Sequence, residues 1–130
     1  AYARFGQVEL LGYTPPDPEM TYLPGDPLPL TLLWQAFGQP RGDLQAGFRL
    51  EGAETTPLGE EPVGGRFAAS EWSAGQVVRQ KPNLRIPSST LPGTYRLKMR
   101  VSRDGQPVPW GRWLIPMGSD LILGRIDVGQ

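Results

Sequence analysis

The feature that most constrains this chain is a two-residue alternation of apolar and polar side chains. From Thr94 to Val101 one parity is apolar and the other polar: Tyr95, Leu97, Met99 and Val101 against Thr94, Arg96, Lys98 and Arg100. Successive side chains of a β-strand point to opposite faces, so this pattern predicts a half-buried strand. Leu28–Ala36 and Leu44–Leu50 alternate in the same way, whereas a helical period is nearly absent.

Further strands are expected between the turn-rich segments, at Phe5–Tyr13, Gly75–Ile86, Val108–Ile115 and Leu121–Val128. Glu54–Val63 is a doubtful strand, because two prolines and a glycine interrupt it. The Asp-Gly pair within Arg103–Gln106 predicts a tight hairpin. Seven to eight short strands in 130 residues favour one domain over 1–130, an all-β antiparallel β-sandwich of immunoglobulin-like or jelly-roll-like type.

Composition removes several kinds of chemistry. The chain has no cysteine and no histidine, which excludes thiol chemistry and a Ser-His-Asp triad and removes the commonest metal ligand. Thirteen Lys plus Arg balance thirteen Asp plus Glu, so no overall field favours nucleic acid as a partner. We therefore expect no enzyme activity, no cofactor, no metal site and no catalytic residue.

Polar residues in loops and turns do not change that expectation. Five glutamates have no spacing that pairs them for acid–base work, and we interpret them as solvated turn residues: Glu51, Glu54, Glu60, Glu61 and Glu71. Ser88–Thr90 is interpreted as loop, and the Arg-Gly-Asp tripeptide at Arg41–Asp43 as a turn. Gly64 and Gly65 precede no helix and no P-loop lysine, so a phosphate cradle is not expected there.

Three tryptophans are the candidates for recognition. Trp72 lies outside any strand alternation, and Trp110 and Trp113 have opposite parities on one predicted strand. Exposed indoles can stack on sugar rings, which makes carbohydrate a candidate ligand. The alternative is that these side chains close the ends of the sandwich, and for Trp72 we predict packing. Trp34, Phe48 and Tyr95 share parity with aliphatic residues and are expected in the core.

A second candidate is a row of cations. Arg49, Arg96, Lys98 and Arg100 share the polar face of two predicted strands. If those strands are neighbours, the row forms a basic face that could hold an anionic partner. The alternative is a solvated sheet face whose long side chains cover apolar surface.

No apolar run approaches the roughly 20 residues needed to span a bilayer, so this segment is not expected to cross a membrane. The chain starts at Ala1 rather than Met, and we expect it to be a piece of a longer protein.

An ordered set of turns and strands supports a resemblance. "VELLGY" (8–13) is followed by "YLPGDPLPLTLLWQA" (22–36), "SEWSAGQVV" (70–78), "LRIPSSTLPGTYRLKMRV" (84–101) and "LILGRIDV" (121–128). This order resembles β-sandwich accessory domains at the C-terminal end of bacterial polytopic membrane proteins, which are glycosyltransferase-like or uncharacterised. The resemblance implies a non-catalytic module outside the cytoplasm, joined to a membrane-embedded domain of the same chain.

Overall fold

The computed structural model describes residues 3–37, 43–67, 71–112 and 115–130, with the side chains of 112 and 115–117 left aside. These ranges contain strands and turns but no α-helix, which confirms the predicted all-β class. The strands are β1 (Ala3–Phe5), β2 (Val8–Thr14), β3 (Thr21–Tyr22), β4 (Pro27–Leu28), β5 (Thr31–Ala36), β6 (Gln45–Glu51), β7 (Thr55–Pro62), β8 (Val77–Gln80), β9 (Leu84–Arg85), β10 (Gly93–Arg103), β11 (Gln106–Pro107), β12 (Trp110–Arg112), β13 (Ile115–Gly118) and β14 (Asp120–Val128).

The described ranges hold more and shorter strands than the expected seven to eight, and four predicted strands are interrupted. Leu28–Ala36 begins in β4 and continues in β5. Phe5–Tyr13 contains the turn between β1 and β2, and Gly75–Ile86 divides into β8 and β9. Val108–Ile115 spans parts of β12 and β13. The predicted Asp-Gly hairpin is confirmed, since Arg103 pairs with Gln106 across it.

The strands form two main sheets of antiparallel pairs, with one parallel pair. Sheet A has the order β13-β12-β1-β2-β5-β8, and sheet B has the order β3-β14-β10-β6-β7, with β11 added to β10. A small third sheet pairs β4 with β9. The parallel pair is β3 with β14, at one edge of sheet B.

The strand order is immunoglobulin-like. β2-β5-β8 and β6-β10-β14 have the neighbours that strands A-B-E and C-F-G have in that fold. The hydroxyl of Tyr95, near the start of β10, donates to the carbonyl of Leu91 at 2.7 Å. Immunoglobulin-like sandwiches use such a tyrosine bond at the corner before strand F.

The core lies between the two sheets and is one continuous cluster of buried side chains. Trp34 and Phe5 meet edge to face in it, with ring centroids 6.0 Å apart. Phe48 and Tyr95 are also buried, so the core prediction from alternation is confirmed. β6 and β10 turn their polar parity outward, and that outer face carries the predicted cations.

The segment Glu54–Val63, whose strand was doubtful from the sequence, contains the eight-residue strand β7. It lies at the edge of sheet B and pairs only with β6 among the described strands. Proline is tolerated on an edge strand because no partner needs the missing N–H. A bulge opposite the Phe48–Arg49 step accommodates the interruption near Pro57 and Gly59.

Candidate functional site

Sheet B places the four predicted cations on one surface. β6 and β10 are neighbours, and Lys98 lies directly opposite Arg49 while Arg96 lies opposite Glu51. Arg100 belongs to the same parity of β10 and pairs with Asp120 of β14. The parity argument therefore grouped the four cations correctly, and it missed the acidic side chains that share their surface.

Those acids neutralise most of the face. Arg49 forms ion pairs with Asp120 and with Glu51, the latter at 2.8 Å. Lys98 reaches the same Glu51 carboxylate at 3.1 Å, and Arg100 reaches Asp120 at 2.8 Å. Three of the four predicted cations are thus committed to internal partners. An anion would have to displace a carboxylate to bind them.

The electrostatics follow from this geometry. Hydrogen bonding from Lys98 is the main reason that the pKa of Glu51 is lowered. Partial burial opposes ionisation of Asp120, but hydrogen bonds from Arg49 and Arg100 outweigh it and lower the pKa of Asp120. The hydrogen bond to Asp120 raises the pKa of Arg49. Charged forms are favoured on both sides, as expected for a structural network of ion pairs.

A shallow depression of about 390 Å³ lies beside this network. Its floor is at Gly47, where the sheet has no side chain, and its walls include Arg49, Arg100 and Glu60. The two arginines already bind Asp120, and Glu60 adds a further negative charge. The charges around the depression therefore nearly balance, and neither arginine is free to hold an anion.

Trp72 is a packing residue, as predicted. Its side chain is 1 % exposed, and its Nε1–H donates to the carbonyl of Phe67 at 2.6 Å. A Cβ on Gly64 would overlap its ring, so the chain approaches the indole as closely as glycine allows. No face of this indole is free to stack on a sugar.

Trp110 is partly buried and packs against the core. Its Nε1–H donates to the carbonyl of Asp120 at 2.8 Å, which ties β12 to the start of β14. Trp113 lies outside the described residues, so its role stays a prediction. The two described tryptophan candidates serve packing, and neither supports the sugar-stacking hypothesis.

Glu60 and Glu61, interpreted from the sequence as solvated turn residues, lie in the strand β7 instead. Glu54 accepts the backbone N–H of Leu91 at 3.1 Å, and Glu61 accepts that of Asn83 at 2.6 Å. Both therefore hold loops in place. The described residues contain no group of three or more Asp and Glu side chains that could hold a metal ion. Arg41 and Gly42 of the Arg-Gly-Asp tripeptide fall outside the described ranges.

Sequence reasoning missed a buried amide that joins the two sheets. Gln80 of β8 is 3 % exposed, and its Oε1 accepts from Trp34 Nε1 at 3.0 Å and from the Gly64 N–H at 2.9 Å. Its Nε2 donates to the Pro62 carbonyl at 3.0 Å and to Glu61 at 3.3 Å. All its bonding capacity is used, so Gln80 is a structural clamp and not a free polar group.

No helix within the described ranges is long and apolar enough to cross a membrane. No protein-family model matches the chain, and no curated protein matches its sequence.

Proposed function

We propose that this chain is a non-catalytic accessory β-sandwich module of a larger bacterial membrane protein, with a structural or interaction role. The observation that carries the proposal is the ion-pair network of sheet B. Its acids, Glu51 and Asp120, are bound by Arg49, Lys98 and Arg100. General acid–base catalysis needs a group whose pKa lies near the operating pH, whereas these carboxylates have lowered pKa values.

The membrane-protein part of the proposal rests on the ordered turn-and-strand resemblance. In this proposal the module lies on the extracytoplasmic side of the membrane and is joined to a membrane-embedded domain of the same chain. A sandwich whose core is complete within one chain segment suits a tethered module, because it folds around its own buried cluster.

Thiol labelling tests the location, and the absence of cysteine makes this test clean. Ala74 is exposed in the turn before β8, so an Ala74→Cys variant of the full-length gene presents one thiol from this module. We expect a membrane-impermeant maleimide to label it on intact cells, with other cysteines of the parent replaced by serine. Labelling only after lysis would contradict the extracytoplasmic location.

Ala36→Cys is the matched control, because Ala36 is buried in β5. It should react only after denaturation, which shows that labelling at position 74 reports location and not unfolding. An alkaline wash of the membranes should leave the full-length protein in the pellet. Recovery in the supernatant would contradict the membrane-embedded partner domain.

The non-catalytic part is tested with the purified chain. We expect no turnover of chromogenic esters, glycosides or phosphate esters above buffer. Turnover that persists through repurification and disappears in Asp120→Asn would overturn this part of the proposal, because it would give the network a catalytic role.

A further inference from the structure

We propose that the outer face of sheet A binds an acidic sugar, a pyranose that carries a carboxylate. The site is a depression of about 410 Å³, distinct from the tryptophans and from the basic face of sheet B. This inference gives the proposed non-catalytic module a ligand, and it rests on that function. The residues meet across β2, β5 and β8, which are consecutive neighbours in sheet A.

Two rows of side chains build the depression. In the first row Gly12 lies opposite Leu33, and Leu33 lies opposite Arg79. In the second row Thr14 lies opposite Thr31. Lys81 follows β8 two residues after Arg79, so it takes the same face and lies beside the second row. The resulting surface has an apolar floor, two hydroxyls and two cations on one side.

This surface differs from the outer face of sheet B because its cations have no internal partner in the described ranges. Arg79 and Lys81 are exposed, and neither forms an ion pair or hydrogen bond with a residue of the described ranges. Glu61 lines a neighbouring depression together with Arg79 and Lys81, but its carboxylate accepts hydrogen bonds from Asn83 and Gln80. A ligand carboxylate would therefore displace only water from the two cations.

The remaining lining selects a sugar over a bare anion. Gly12 has no side chain, so a ring can lie flat on the sheet against Leu33. The hydroxyls of Thr14 and Thr31 both donate and accept, which suits the hydroxyl groups of a sugar. Carboxylate, hydroxyls and an apolar ring face occur together in uronic acids, and a volume of a few hundred Å³ is typical of small-ligand sites.

An alternative role for the cations is protection of an edge. β8 is the edge strand of sheet A, and Lys or Arg on an edge strand discourages pairing with another chain. That role predicts no ligand selectivity. It also gives Gly12, two strands away, no effect on binding.

Titration of the purified chain with trigalacturonic acid tests the proposal, with backbone amide shifts in ¹⁵N NMR spectra as the readout. We expect shifts clustered at Gly12, Leu33 and Arg79 and a dissociation constant below about 1 mM. Maltotriose, inorganic sulfate and triglutamate are the comparison probes, which separate neutral sugar, bare anion and acidic peptide from acidic sugar. Absence of binding by trigalacturonic acid, or equal binding of any comparison probe, would overturn the proposal.

Variants locate the site. Arg79→Gln and Lys81→Gln should each weaken binding about tenfold or more, because each removes a charge-assisted hydrogen bond. Arg96→Gln, the same charge change on exposed sheet B surface, should leave it unchanged. Gly12→Leu fills the floor without touching a charge, and a Cβ there meets no atom within 4 Å, so the fold should tolerate it.

We expect Gly12→Leu to abolish binding while its thermal midpoint stays near that of the wild type. Equal loss of binding in Arg96→Gln would show general charge attraction and overturn the site, as would full binding by Gly12→Leu. Failure of this site leaves the non-catalytic module intact as a proposal, since the labelling and turnover experiments do not depend on a ligand.

Discussion

Replacing Gln80 with leucine should destabilise the protein by about 3 kcal/mol. The change keeps the side-chain bulk but removes the acceptor for Trp34 Nε1–H and for the N–H of Gly64, both of which are buried. A buried donor left without a partner costs about 1 to 3 kcal/mol, so two donors cost about 2 to 5 kcal/mol before relaxation. The rim of the site near Glu61 is partly exposed, and water there reduces the total.

Urea unfolding followed by circular dichroism gives the free energy of unfolding. The slope of that free energy against urea concentration, the m-value, should be the same in the variant and the wild type. The indole N–H resonance of Trp34 supplies a local readout, because it should lose protection from hydrogen exchange. Gln35→Leu is the matched control. Its amide makes one exposed hydrogen bond, to the carbonyl of Gly75, so we expect a loss below about 1 kcal/mol.

Gln80→Glu extends the test by changing charge at nearly constant shape. The introduced carboxylate can accept from Trp34 and Gly64, but it cannot donate to Pro62 when ionised and it lies beside Glu61. Burial raises the folded-state pKa of this carboxyl above the ordinary glutamate value of about 4.3. The Gln80→Glu protein should therefore be most stable at low pH, and its stability should fall as pH rises from about 4.3 through the raised pKa. A cost below about 1 kcal/mol for Gln80→Leu, or a cost equal to that of Gln35→Leu, would refute the clamp.

Two further predictions concern Trp72 and the ion-pair network. Trp72→Ala should cost about 3 kcal/mol or more in urea unfolding, because it empties a buried site and removes the hydrogen bond to the Phe67 carbonyl; a loss below about 0.5 kcal/mol would contradict packing. Because the folded-state pKa of Asp120 is lowered, its contribution is present above the ordinary aspartate value of about 3.9 and is lost as pH falls through the lowered value. Asp120→Asn should therefore be less stable than wild type at pH about 7, and the difference should shrink at pH about 2.5; a constant difference would show that Arg49 and Arg100 do not depend on its charge.

Local patterns predicted the layers of this fold well. Alternation identified the inward faces of β5, β6 and β10, because the two-residue period of a strand depends only on residues that are consecutive in the sequence. It failed where a turn is short or a strand lies at an edge. The turn after Phe5 contains no proline and no Asp-Gly pair, so the pattern predicts one strand at Phe5–Tyr13, although this segment joins the end of β1 to β2. The prolines and the glycine of β7 made its strand doubtful from the sequence, although an edge strand tolerates proline.

The candidate sites were harder to predict, because their partners are distant in sequence. Arg49 and Glu51 are two residues apart and lie on one face of β6, so the alternation pattern was sufficient to predict their ion pair. Asp120, which lies 71 residues from Arg49, was not. Gln80 is 46 residues from Trp34, and a glutamine in a strand carries no signal that its amide is buried. Such contacts depend on sheet order, which alternation does not specify.

The two outer faces show why a net charge of zero does not settle function. On sheet B a ligand carboxylate would compete with Glu51 and Asp120, which are already positioned by the strands that carry the cations. A free ligand would also lose translational and rotational entropy on binding, so the cations keep their bonds to the internal carboxylates. On sheet A the exposed Arg79 and Lys81 form no ion pair within the described ranges, and Glu61, which lines a depression beside them, is bound by Asn83 and Gln80. The number of cations on a face is thus a poor guide to recognition, and the proposed site on sheet A depends instead on Arg79 and Lys81 having no internal partner within the described ranges.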